Sequence, residues 1–130
     1  MPTVFTKIID GDLPARFVHR DDRCVAFLSI APLQPGHTLV VPIVEVDHWI
    51  DLDADLMAHC TLVAQRIARA QQAAFDCERI GLIVAGYEVP HLHVHVIPTV
   101  DMGQLNFANA ATHVDRDALE SAATAIRAHL

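Results

Sequence analysis

Three histidines alternate with aliphatic residues in His91-Leu92-His93-Val94-His95-Val96. Side chains on a strand repeat every two residues, so an extended segment puts the imidazoles on one face and the aliphatics on the other. The aliphatic face belongs against a helix. The imidazole face is expected to line a cleft, because three imidazoles make a poor apolar core. Three uses compete for such a run. An exposed histidine-rich strand would have no role at all. A metal site could use neighbouring imidazoles at a bond length of roughly 2.1 Å. The outer pair, however, would lie about 13 Å apart at ~3.3 Å per residue, so a metal would take two of the three plus a remote ligand such as His37. The third use is nucleophilic catalysis. A neutral imidazole attacks phosphorus and forms a covalent intermediate that water later breaks. It needs its second ring nitrogen fixed, and it needs donors for the phosphoryl oxygens. A central His93 flanked by His91 and His95 suits that chemistry best, and activity should then fall at acid pH as the nucleophile is protonated.

The elements that must position this run are legible nearby. Phe17-Val18-His19 and Cys24 to Leu28 flank the turn Arg20-Asp21-Asp22-Arg23 and read as a hairpin. Pro35-Gly36 turns the chain into the β-rich run Thr38 to Val41, which Pro42 closes. The whole first third reads as short strands and turns. Leu56, Cys60, Val63, Ile67, Ala70 and Ala74 fall on one face of a helix that Asp53 or Asp55 caps. A strand over 80–85 and a turn near Gly86 then lead into the histidines. A final helix should begin near Asp115 with Leu119, Ala122 and Ile126 inward. Two late strands joined so briefly must be antiparallel neighbours. The expected architecture is α+β: an antiparallel sheet of about five strands, a long helix across one face and a C-terminal helix, all in one domain spanning 1–130.

Composition narrows the partners. Hydrophobic residues make up 52% of the 130, and 16 acidic against 9 basic residues leave a net charge of -7. Basic residues are scattered singly, which argues against nucleic acid. A small anion remains open to a pocket of imidazoles and local dipoles. The three cysteines form no disulfide framework. With neither a leader-like start nor a membrane-length apolar run, they point to a cytoplasmic protein.

Pro90-His91-Leu92-His93-Val94-His95-Val96-Ile97 resembles the signature of the histidine triad (HIT) family, His-φ-His-φ-His-φ-φ with φ apolar. Phe5 to Gly11 with Pro14-Ala15, Asp21 to Leu28, and Pro35 to Pro42 are similar to the family's preceding segments, so the resemblance covers most of residues 4 to 98. It is closest to the Hint-like hydrolases. The resemblance implies a HIT-like fold and a role for each matching position. His93 would attack the α-phosphorus of a purine nucleotide. The His91 carbonyl would set the His93 tautomer, His95 would contact phosphate and His37 would complete the set. Phe5, Ile8, Phe27, Ile30 and Leu39 would form the base pocket, although from the residues alone they are equally core hydrophobes. Val89, with Tyr87 and Glu88, falls in the stretch just before the triad. A homodimer is implied, with Phe107 reaching toward the partner's site.

Three departures stand out. Ser29 occupies the position where relatives carry a ribose-binding Asp. Gly86-Tyr87-Glu88-Val89 replaces a Gly-Gln-Ser/Thr-Val stretch, with Ala85 near a usual Asn; Glu88 should either point away or contact the leaving group. Thr3 and Thr6 stand where many bacterial relatives place a zinc-binding Cys-x-x-Cys, so no structural zinc is expected. The resulting expectation is a nucleotide hydrolase or transferase that prefers phosphoramidates. The rivals are a dinucleoside polyphosphate hydrolase, a non-catalytic nucleotide-binding regulator and a metal-binding protein. No cofactor is required, although magnesium could accompany polyphosphates.

Overall fold

Three helix starts are written into the chain as side-chain caps. Thr3 accepts from the Thr6 amide, Asp53 from Leu56 and Asp115 from Ala118. They open α1 (Val4–Ile9), α2 (Ala54–Ala74) and α3 (Arg116–Arg127) in a computed structural model that describes all 130 residues. Helix α1 corrects the expectation that the first third is strands and turns alone. Phe5 and Ile9, four residues apart, are buried on one side of this short helix. No helix is long and apolar enough to cross a membrane.

Five strands, β1 (Phe17–Arg20), β2 (Cys24–Leu28), β3 (Thr38–Pro42), β4 (Arg79–Ile83) and β5 (Val94–Thr99), form one sheet in the order β1-β2-β3-β5-β4. Every neighbouring pair is antiparallel, as the α+β reading requires. Both faces of the sheet are covered. Cys24, Ala26, Leu28, Val40, Val94 and Val96 meet Cys60, Val63 and Ile67 of α2 and Ile126 of α3. On the opposite face Val25, Phe27, Leu39 and Val41 pack with Phe5 and Ile9 of α1. Fully burying a Val, Ile or Phe contributes about 1.5–3 kcal/mol, so the two layers fix which way each β5 side chain points. Val94 and Val96 take the α2 side, and His95 takes the other, opposite Leu39 in the ladder.

Two joints hold the ends of the central strands. Gly36 has φ +88, and a Cβ there would stand 2.4 Å from the Phe75 ring; both the left-handed backbone and the close approach call for glycine. Gln71, fully buried on α2, donates to the carbonyls of Gly36 and Val96, each at 2.9 Å. It pins the residue before His37 and the residue after His95 to one helix. A polar residue on the inner face of α2 broke the apolar pattern, and this contact is the reason.

Candidate active site

The strand carrying the histidines begins at Val94, so His91 and His93 precede it rather than lie within it. The ladder stops because the backbone turns to other partners. Leu92 donates to the Val46 carbonyl, and the Pro42 carbonyl accepts from the His91 ring. The alternation survives this break. His91, His93, His95 and His37 are all buried, and Phe5 covers His91 and His93 with ring centroids 5.9 and 5.0 Å away.

Hydrogen bonds to groups of fixed character settle most of the ring tautomers. The Leu33 amide donates to His37 Nδ1 at 2.9 Å, so in a neutral ring the proton sits on Nε2. That Nε2–H donates to His95 Nδ1, also at 2.9 Å. His95 must then carry its own proton on Nε2, a buried atom with no hydrogen-bond partner in the chain. The relay ends in one free donor. His93 Nδ1 donates to the His91 carbonyl at 2.8 Å, which leaves Nε2 as its reactive nitrogen. His91 itself is anchored at both ends, donating from Nε2 to Pro42 and accepting at Nδ1 from the Thr3 hydroxyl. Burial, with the neighbouring imidazoles, lowers the pKa of His37 to about 3 and of His95 to about 4, and burial also lowers that of His91. His37 and His95 are therefore neutral near pH 7, and the relay keeps its direction.

The HIT domain family model matches residues 10–102, a span that contains all four histidines. The chain belongs to the HIT family. Protein hit of Bacillus subtilis is 35% identical over 119 residues, covering 86% of this chain and 81% of that protein. A Hit-like protein from Bartonella henselae superposes with a TM-score of 0.87 at 32% identity, covering 98% of this chain and 96% of its own. A Zn-bound histidine triad family protein from Mycobacterium smegmatis gives 0.82 at 29% identity, with coverage of 97% and 91%.

Within the HIT frame this chain has its own features. Glu88 does not point away: its Oε2 lies 3.1 Å from His93 Nε2, although its side chain is 48% exposed. Burial alone would raise the Glu88 pKa, but its own backbone amide and the His93 hydrogen bond bring it below the usual carboxylate value. The Glu88 carboxylate therefore stands over the reactive nitrogen. Glu88, His93 and His95 also bring three ligand atoms within 4.8 Å of one another, so a metal could be held here.

The remaining HIT positions divide. Phe5, Phe27 and Leu39 are buried together with Ile8 and Val89 at their margin, next to His93. Ile30 is 75% exposed and does not join them, and Tyr87 is almost fully exposed. Ser29 is buried beside His37, its amide donating to the His37 carbonyl and its hydroxyl accepting from the Ala31 amide. Phe107, expected at a partner's site, packs edge-on against His95 of its own chain at 4.8 Å. Thr3, Thr6, Glu45 and His91 form a hydrogen-bonded cluster, with Glu45 accepting from the Thr3 amide and the Thr6 hydroxyl. Two hydroxyls and an imidazole already bonded at both nitrogens do not suit zinc. Glu45 and Leu33 escaped sequence reasoning, because nothing local marks a loop carboxylate or a loop amide as a partner of a distant imidazole.

Proposed function

We propose that this protein is a nucleotide hydrolase or transferase that cleaves a nucleoside 5′-monophosphate from its leaving group through a nucleotidyl-His93 intermediate, with purine phosphoramidates as the preferred class. The observation that carries this reading is the relay of fixed tautomers that ends in the unpaired His95 Nε2–H beside His93 Nε2. One nitrogen is a donor for a phosphoryl oxygen and the other a nucleophile. Phe5, Ile8, Phe27, Leu39 and Val89 offer the apolar surface for a base, and Ser29 a weaker ribose contact than a carboxylate would give.

Glu88 supplies the proton transfer. In the proposed resting pair one proton is held between Glu88 Oε2 and His93 Nε2; Glu88 takes it, which frees the Nε2 lone pair to bond to phosphorus. The bond to the leaving group breaks, its electron pair departs with that group, and Glu88 protonates it. Water then attacks phosphorus, the P–Nε2 bond breaks, and the water proton returns to Glu88. The nucleotide monophosphate leaves and the resting pair is restored. No metal takes part in this sequence; magnesium would accompany only a polyphosphate substrate. We further propose a cytoplasmic homodimer. An open apolar groove on the outer flank of α2, lined by Trp49, Ile50, Leu52, Met57 and Leu62 among others, suits a second copy, and light scattering would give twice the chain mass.

The test is AMP release from adenosine phosphoramidate and from diadenosine polyphosphates, with His93→Ala in parallel and mass spectrometry of acid-quenched wild type. Release together with a nucleotidyl adduct on His93 is expected. The covering of Nε2 by Glu88 favours one rival, a nucleotide-binding regulator. Tight AMP binding with no release from either substrate class would establish that reading instead.

A further inference from the structure

A second histidine cluster lies on the other side of the sheet, where α2 crosses the first hairpin. His19 Nε2 and His59 Nε2 meet the same oxygen, Asp21 Oδ2, at 2.6 and 2.7 Å. The other oxygen, Oδ1, accepts from the Arg23 and Cys24 amides at 2.7 and 2.8 Å. The turn thus fixes the carboxylate and aims Oδ2 at the two imidazoles. Cys24 Sγ, fully buried, stands 3.8 Å from Oδ2, and all four ligand atoms lie within 4.8 Å of one another.

We propose that His19, Asp21, Cys24 and His59 bind a divalent transition-metal ion of the zinc class, in a site distinct from the His91–His95 cleft. The donor set, two imidazoles, a carboxylate oxygen and a sulfur, is one that tetrahedral zinc accepts at about 2.0–2.3 Å per bond. Donors around such an ion stand about 3.4–3.7 Å apart, so the two imidazoles must withdraw from Oδ2 by under about 1 Å. They have room to do so, because the His19 and His59 side chains are 18% and 27% exposed. That exposure also gives the ion its entry path. On binding, each neutral histidine exchanges its Nε2 proton for one on Nδ1, and the Cys24 thiol proton is released to solvent. The hydrogen-bonded amides on Oδ1 remain and orient the ligand, as outer partners of metal carboxylates do. A hydrogen-bonded tie of Asp21 to one histidine would have fastened the hairpin. Two imidazole nitrogens and a sulfur brought to one oxygen, with ligands drawn from two strands, a turn and a helix, form a coordination set.

Titration of the full, reduced chain with zinc, and with cobalt as a spectroscopic probe, tests this. One equivalent should bind per chain, with a thiolate-to-cobalt charge-transfer band, and zinc should raise Tm. His19→Gln and His59→Gln keep a hydrogen-bond donor for Asp21 but remove a ligand, and each should weaken zinc binding at least about tenfold. Cys24→Ser should lose the charge-transfer band, and His93→Ala should retain the ion. Circular dichroism checks that each variant is folded, and either glutamine variant alone decides the question. No zinc uptake against a weak chelator would overturn the proposal. So would an ion held with unchanged affinity by either folded glutamine variant, or a charge-transfer band that persists in Cys24→Ser.

Discussion

The chain builds two histidine clusters on opposite faces of one sheet, and their acceptors differ. On the α1 face, His91 and His93 donate to backbone carbonyls and His37 to another imidazole, all in a buried setting. On the α2 face, His19 and His59 share a carboxylate near solvent. A carbonyl accepts one ring proton and leaves the opposite nitrogen of a neutral ring unprotonated, which suits a nucleophile. A shared carboxylate gathers two rings at one point, which suits a cation. The same side chain is thus directed to different work by its acceptor. Glu88 is the one place where the first cluster borrows the manner of the second, with a carboxylate on His93.

The sharpest way to separate the clusters is His93→Ala, which should lower AMP release on the order of 10⁴-fold or more. His59→Gln should change that rate by less than about twofold. Comparable losses in both would merge the two sites. Next in size, His95→Ala should cost about 10²–10³ in kcat by removing the phosphate donor. His37→Ala should cost little further in that background, because His37 acts through His95; additive losses would break the relay. Glu88→Gln should lower kcat by about 10²-fold for amine leaving groups. Leaving groups that need no proton should be affected far less, so an equal loss for both would remove Glu88 as the proton carrier.

The smallest effect is on stability. His37 and His95 have folded pKa values near 3 and 4, against 6.5 for the unpaired ring. Between those values the unfolded chain binds more protons, so stability is full above about pH 6.5 and declines as pH falls toward 4 for His95 and 3 for His37. The slope is at most about 1.4 kcal/mol per pH unit for each ring. Thermal melts of wild type and His37→Ala across that range check it: a pH slope as steep in the variant would assign the effect to other groups.

How much of this was legible follows the range of each interaction. The alternation of Leu92, Val94 and Val96 with histidines is local, so the two faces of the run and the helix behind it could be read directly. The caps at Asp53 and Asp115 and the turn at Pro35-Gly36 are local too. Helix α1 was missed because six residues carry too little periodicity to outweigh their β-branched neighbours. Ile30 and Phe107 were placed by resemblance. Neither spacing nor hydropathy says which way a loop side chain turns, and the fold turned Ile30 outward and Phe107 onto His95. The His19–Asp21–His59 cluster was invisible for a different reason. His59 lies 40 positions from His19, and only the packing of α2 across the hairpin brings them to one atom.

Gln71 gives the architecture a mechanical consequence. One side-chain amide bonds the carbonyls of both Gly36 and Val96, so the backbone beside His37 and the backbone beside His95 are tied to a single point of α2. Removing that amide would untie both histidine-bearing segments from the helix at once.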